Sequence, residues 1–250
     1  MTLTICIKAA DGIIFASDSR ATSRDPRSET TINDTVKKIF PVGKFSGIGI
    51  AGDGGLAMTL LDDLKEKIHR DGEIRKLIKE FHKFGKDIFD EWFPHEKPGE
   101  RSGLSIVLAG YTVENEAEIY NLFSFDNFVP RKSATGFSCL GITYLAQYLL
   151  NRFYQSTITI EHAAELAAFC IKETATQDGK VGGDLQLASL SSTLEFHEFT
   201  PQEIGRVEKK CEQLRLDFRE KVYKGETEGV EKQPIEEREK SQGYSCRKSH

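Results

Sequence analysis

At 250 residues, with 38% hydrophobic and 29% charged residues, the chain has enough apolar content to bury a sizeable core. A net charge of −5, with no basic stripe interleaved with aromatics, argues against a nucleic-acid partner. No run approaches the ~20 apolar residues of a membrane helix, so no membrane partner is expected.

The first residues, MTLTICIKAADG, carry no basic residue ahead of a short apolar run and do not read as a secretory signal. Two short β-type runs open the chain, Thr2–Lys8 and Ile13–Asp18, and Asp11-Gly12 between them is a hairpin signal. The polar stretch Ser23–Asp34 lacks periodicity and reads as a loop. Val36–Val42 and Ser46–Gly52 form a second strand pair. Leu56, Leu60, Leu64 and Ile68 then recur at helical spacing, as do Ile74, Leu77, Ile78, Phe81, Phe84, Ile88 and Trp92. Pro94 and Pro98 close that region. Strands follow at Leu104–Tyr111 and Glu118–Phe125, then helices at Ile142–Phe153 and Ile160–Thr176, the second with Thr159 as its N-cap. Strands near Asp184–Ser191 and Thr193–Phe199 complete the domain, expected to span residues 1–200. A charged helix over residues 201–222 comes next. The tail Tyr223–His250 is polar and poor in apolar residues, so it is expected to be disordered. Strands, two helices, strands, two helices and strands pack economically as an α+β, four-layer αββα sandwich: two antiparallel sheets face to face with helices outside.

The five cysteines, Cys6, Cys139, Cys170, Cys211 and Cys246, form no CxxC pair, which predicts free thiols in a reducing compartment, the cytoplasm. The six histidines are dispersed, leaving little support for a His triad or a His-rich metal site.

Chemistry concentrates at the N-terminus. Thr2 is small enough for an aminopeptidase to remove Met1, and a terminal Thr joins a hydroxyl nucleophile to an amine base. An α-amine titrates at about 7.7–8.0, near working pH. Met-Thr starts are nevertheless common among inert proteins, so the surroundings decide. Asp18 and Arg20 stand two apart just past a hydrophobic strand, on one side if the strand continues. Alone they could be a surface pair worth ~0–1 kcal/mol. Lys37 and Lys38 open a later strand, and both could be solvated. Ile50-Ala51-Gly52-Asp53-Gly54-Gly55 ends a strand and enters a helix, where backbone N–H groups can face a ligand. The same glycines would also make a plain turn.

In order, these features are a terminal Thr, Ala-x-Asp-x-Arg-Ala-Thr, Val-Lys-Lys, and Ala-Gly before a helix. So arranged, the sequence resembles the proteasome β-subunit family of N-terminal-nucleophile hydrolases, including the simpler bacterial proteasome-like proteases. The likeness covers about the first 65 residues and returns at Gln177-Asp178-Gly179-Lys180-Val181-Gly182-Gly183. The resemblance implies Thr2 as nucleophile, with its amine shuttling the proton through a water. It implies Lys38 as the cation lowering the pKa of that unit, Asp18 as its partner, and Arg20 as a brace. Gly52 N–H would hold the oxyanion, worth about 3–4 kcal/mol in comparable sites, and Asp178 would orient the amine. Choosing Lys38 over Lys37 rests on this match alone. Positions lining the family's first specificity pocket match Ala21, Val36, Phe40, Ile50 and Gly54, an apolar set suited to hydrophobic side chains.

There are departures. The loop between Asp18 and Lys38 is a few residues longer than usual. Of two serines that help hold the amine, one could only be Ser138, out of register, and the other is replaced by Val181. The charged C-terminus from Ile204 has no clear counterpart. The resemblance implies a threonine endopeptidase without metal or organic cofactor, self-associated into a closed ring. Its substrate would be a peptide or unfolded protein, with an ATP-dependent unfoldase or regulator as an optional further partner. A small-amide hydrolase of the same superfamily and a non-catalytic ring subunit or scaffold are the alternatives.

Overall fold

A computed structural model describes residues 2–24, 30–67, 73–193 and 195–224. The expected tail disorder, from residue 225 onward, therefore lies outside the described residues. In chain order the elements are β1 (Leu3–Lys8), β2 (Ile13–Asp18), β3 (Ala21–Arg24), β4 (Thr30–Asn33), β5 (Ile39–Gly43), β6 (Ser46–Gly52), α1 (Gly54–Lys65) and α2 (Ile74–Trp92). They continue with β7 (Leu104–Tyr111), β8 (Ala117–Phe123), β9 (Arg131–Lys132), β10 (Phe137–Gly141), α3 (Tyr144–Phe153), α4 (Ile160–Gln177), β11 (Leu185–Leu190), β12 (His197–Glu198) and α5 (Pro201–Lys224).

One antiparallel sheet runs β10-β1-β2-β11-β12 and the other β5-β6-β7-β8-β9, while β3 and β4 form a separate hairpin. Three apolar clusters fix the layers. Ile5, Ile7 and Leu187 of the first sheet pack with Ala146, Ala164 and Ile171 of α3 and α4. Ile48, Ile106 and Leu108 of the second pack with Leu60, Leu77 and Phe81 of α1 and α2. Cys6, Phe15, Val107 and Ala109 meet between the sheets. Each sheet is thus covered on both faces, which is why β2 is buried throughout and opens with the unbroken apolar run Ile13–Ala16, instead of alternating. The expected αββα sandwich is the fold observed.

Helix α2 follows the predicted apolar periodicity from end to end. Its Phe89 meets Phe128 edge to face at 4.8 Å between centroids. Thr159 caps α4 as expected, accepting from His162 N–H. Three expectations need correction. The stretch read as a loop holds β3 and β4, with residues 25–29 outside the described ones. The stretch before Ile142, to which the sequence assigns no element, holds β10, pairing with β1 from Leu3↔Gly141 to Ile7↔Phe137. The last strand shrinks to His197–Glu198. The first compact unit, Met1–Cys211, continues past residue 200 because Val207 and Cys211 of α5 are buried, Cys211 Sγ donating to Glu165 O. The second unit, Glu212–His250, begins inside α5, and its helical part exposes Leu214, Phe218 and Val222. Cys6, Cys139, Cys170 and Cys211 are free thiols. Among the described residues no helix is long and apolar enough to cross a membrane.

Candidate active site

Thr2 immediately precedes β1 and is buried, 5% exposed. Its carbonyl accepts from Ile142 N–H at 2.8 Å, just beyond β10. That approach depends on Gly141, whose φ of +87° suits glycine and whose added Cβ would collide with the Thr2 carbonyl. Two residues on, Thr4 Oγ1 donates to Ile50 O at 2.9 Å and shares a hydrogen bond with Ser17 Oγ, tying β1 to the facing sheet. The Thr2 hydroxyl points toward Arg20 O, 3.5 Å away.

Asp18 ends β2 and is 1% exposed. One oxygen, Oδ1, accepts from Leu3 N–H at 3.0 Å and from Lys38 Nζ at 2.9 Å; Oδ2 accepts from Gly182 N–H at 3.0 Å. A buried carboxylate requires such compensation. Lys38, also buried, donates further to Arg20 O at 2.6 Å, the same carbonyl the Thr2 hydroxyl faces. Burial pulls the Lys38 ammonium below the ordinary lysine range, while Asp18 pulls the other way. The structure thus joins Thr2, Asp18 and Lys38 in one buried group. It also separates the two lysines, because Lys37 points outward to Glu198 at 2.7 Å.

Arg20 makes a two-pronged bond to Asp34 at 2.7 and 2.8 Å and donates to Gly179 O at 2.9 Å. The bond to Asp34 raises the Arg20 pKa, and the bond to Arg20 lowers that of Asp34. Ser19 Oγ adds a hydrogen bond to Asp34 O. The Arg20 side chain therefore fastens the base of the β3–β4 hairpin to the 179–183 turn, while its carbonyl belongs to the Thr2–Lys38 group.

Gly52 closes β6 with φ +110°, and a Cβ there would collide with Gly103 O. The backbone turns at this point into α1, whose N-cap Asp53 accepts from Leu56 N–H at 3.1 Å. Thr2, Lys38 and Gly52 line a cleft of about 560 Å³, together with Ala21, Val36, Ile50 and Gly54. Thr22 and Asn33 of the hairpin also line it. Both were missed because a short polar hairpin has no apolar alternation to reveal it.

Other expected site residues stand elsewhere. Phe40 does not line the cleft. It pairs opposite Ile48, one pleat beyond Ile50, and packs on the α1–α2 side. Ser138 pairs opposite Cys6, well along β1 from Thr2, and its hydroxyl donates to Asn121 Oδ1 of the other sheet. The residue beside Thr2 is Ile142, just past the end of that strand. Asp178 ends α4, where its carboxylate accepts from Lys180 N–H at 2.9 Å, and no hydrogen bond joins it to Thr2 among the described residues. Val181 is buried in the α3–α4 core. Among the described residues no His, Cys, Asp and Glu group could hold a metal ion.

The family model for proteasome subunits matches residues 2–190. The chain is 23% identical to a proteasome subunit beta of Streptomyces griseus over 216 residues, 82% of this chain and 74% of that one. It is 28% identical to proteasome subunit beta 1 of Pyrococcus horikoshii over 191 residues, 72% of this chain and 86% of that one. In fold it is similar to Anbu (ancestral beta-subunit) from Yersinia bercovieri, with a TM-score of 0.67 at 13% identity, covering 86% of this chain and 96% of the other. Carrying the family's match over most of its length on an αββα sandwich, the chain belongs to the proteasome subunit family.

Proposed function

We propose that the protein is an N-terminal-threonine peptidase, with Thr2 as nucleophile once Met1 is removed. The carrying observation is the buried Asp18–Lys38 pair at 2.9 Å, which shares the Arg20 carbonyl with the Thr2 hydroxyl at the wall of the cleft. In this reading the freed amine takes the Thr2 proton, through a water, as Oγ attacks the substrate carbonyl. The Lys38 charge makes that deprotonation easier. The oxyanion forms at the Gly52 N–H, and collapse expels the leaving amine, which regains the proton. Water then hydrolyses the ester on Thr2. Asp18 keeps Lys38 charged and holds the Leu3 N–H, so the nucleophile's own backbone is fixed by the same carboxylate. Asp178 is the carboxylate this reading assigns to orienting the freed amine. The small apolar walls, Ala21, Val36, Ile50 and Gly54, suit a hydrophobic side chain before the cleaved bond.

Confinement in a self-assembled ring would make such a peptidase safe in cytoplasm, with unfolded protein as substrate and an ATP-dependent unfoldase as a further partner. The test is turnover of fluorogenic peptides, set against small acyl amides, by wild type and Thr2→Ala. The reading expects peptide hydrolysis that Thr2→Ala abolishes without loss of fold. Unchanged turnover would sink it, and preference for the small amides would favour an amidase.

A second reading, a non-catalytic ring subunit, is favoured by one observation. Val181 stands where the resemblance calls for a serine that helps hold the amine, and the residue whose N–H meets the Thr2 carbonyl is Ile142; both are aliphatic side chains with no hydrogen bond to offer the amine. A wild-type chain that keeps Met1 and assembles without hydrolysing peptides would support it.

A further inference from the structure

Lys38 rides on backbone that is neither helix nor strand: residues 34–38 connect β4 to β5. Inside a protein the N–H and C=O groups of such a segment still need partners. Val36 N–H donates to Ser19 O at 3.1 Å, and Lys38 O accepts from Ile50 N–H at 3.0 Å. A single side chain satisfies two further groups. Gln186 Oε1 accepts from Lys38 N–H at 2.9 Å, and its Nε2 donates to Val36 O at 2.6 Å.

Gln186 stands on β11 in register with Ser17 of β2, beside the Leu185↔Asp18 pair. Its amide therefore acts as an extra strand edge, docking the 36–38 segment onto the ladder that carries Asp18. A primary amide presents an acceptor and a donor side by side without charge and without depending on pH, and Asn is one methylene shorter than Gln. Both bonded residues face the cleft. Lys38 carries the ammonium that meets Asp18, and Val36 is part of the wall.

We propose that Gln186 is a positioning residue that sets both the Lys38 ammonium and the Val36 wall of the cleft. It touches neither Thr2 nor the space a substrate would fill, and the proposal rests on the peptidase reading for its kinetic consequences. Misplacing a catalytic group by about 1 Å can cost on the order of 100-fold in rate.

The test compares wild type, Gln186→Leu and Gln186→Glu, with the number of intact sites counted by covalent labelling of Thr2. Gln186→Leu removes both bonds, and the proposal expects kcat per labelled site to fall about 10-fold or more, with a raised KM. Gln186→Glu keeps the acceptor for Lys38 N–H but sets a carboxylate against Val36 O. It should hold kcat within about threefold while KM rises about 10-fold, separating the two roles. A merely structural role predicts fewer labelled sites and a lower melting temperature, with kcat and KM per site unchanged in both variants. That result would overturn the proposal. If Gln186→Leu does not fold, the kcat-against-KM split in Gln186→Glu decides. If wild type neither hydrolyses peptides nor labels, the peptidase reading fails on its own, and crystal structures decide for Gln186. Lys38 Nζ leaving Asp18 in either folded variant, or Val36 shifting, supports positioning; both unmoved overturns it.

Discussion

Replacing Asp18 by Asn keeps the shape of the side chain and removes the charge that faces Lys38. In the native structure three donors converge on that carboxylate: Leu3 N–H, the Lys38 ammonium and Gly182 N–H. An Asn amide has one oxygen, so its NH₂ must face at least one of these donors. The larger effect is electrostatic. With both side chains almost wholly buried, Lys38 becomes an uncompensated interior charge, a loss of about 3–5 kcal/mol when one partner of such a pair is removed. The lysine can escape by losing its proton. At pH 7 that costs about 4–5 kcal/mol against an ordinary pKa of about 10.4, which caps the deficit, and at pH 9 the cap falls to about 2 kcal/mol. The sign follows from linkage. In Asp18→Asn the folded lysine is neutral while the unfolded lysine stays protonated, so the variant gains stability as pH rises toward the unfolded value. For a chain of this size each kcal/mol moves the melting temperature by about 2–4 °C. Thermal melts at fixed protein concentration should therefore place Asp18→Asn roughly 6–20 °C below wild type at pH 7, with the gap about halved at pH 9. A gap under about 2 °C that does not change with pH would refute the reasoning, because the pair would then be solvated and not buried.

Further outcomes follow from other residues. Gly141→Ala sets a Cβ against the Thr2 carbonyl at a φ of +87°, so it should cost about 1–3 kcal/mol by denaturant unfolding and abolish Thr2-dependent turnover. Asp53→Ala removes the α1 cap and should cost about 1 kcal/mol, whereas Asp53→Asn keeps an acceptor for Leu56 N–H and should melt near wild type. Glu118 is buried, and its hydrogen bond from Arg75 lowers its pKa to about 2, with Lys132 and Tyr120 assisting. Because the folded pKa lies below the usual 4.5, its stabilisation is complete above that pH and is lost as pH falls toward 2. Urea midpoints of wild type and Glu118→Gln should accordingly converge across that window. Burial lowers the Lys38 pKa, so kcat should fall on the alkaline side below the free-lysine value of about 10.4, as read from a pH–rate profile.

The layer order was legible because it is written in long-range apolar patterns. The α2 stripe and the apolar runs at residues 13–16 of β2 and 106–109 of β7 each state a period or a doubly covered strand. Asp18, Lys38 and Gly52 were legible by their order along the chain and by resemblance to a family, and the structure adds the distances that join the first two. The hairpin β3–β4 was hidden because its two four-residue strands carry no apolar alternation in sequence. Strand β10 was hidden because it is five residues long and bounded by glycine, Gly136 before it and Gly141 at its end, although Gly141 makes room for the Thr2 carbonyl. Ser138 was placed near the amine only by the resemblance, yet the β1–β10 register sets it opposite Cys6, and register is decided by pairing across distant segments. Gln186 gave no sequence signal at all. Its role comes from an irregular segment nearly 150 residues earlier that needs one donor and one acceptor.

The central claim, that Thr2 freed of Met1 is the nucleophile, is tested most directly by mass spectrometry of the purified protein before and after a threonine-directed covalent inhibitor. The account predicts an N-terminal peptide that begins at Thr2 and carries one adduct per chain, with peptide hydrolysis lost in proportion to labelling. A retained Met1 on protein that hydrolyses peptides, or full inhibition with the adduct on another residue, would contradict it.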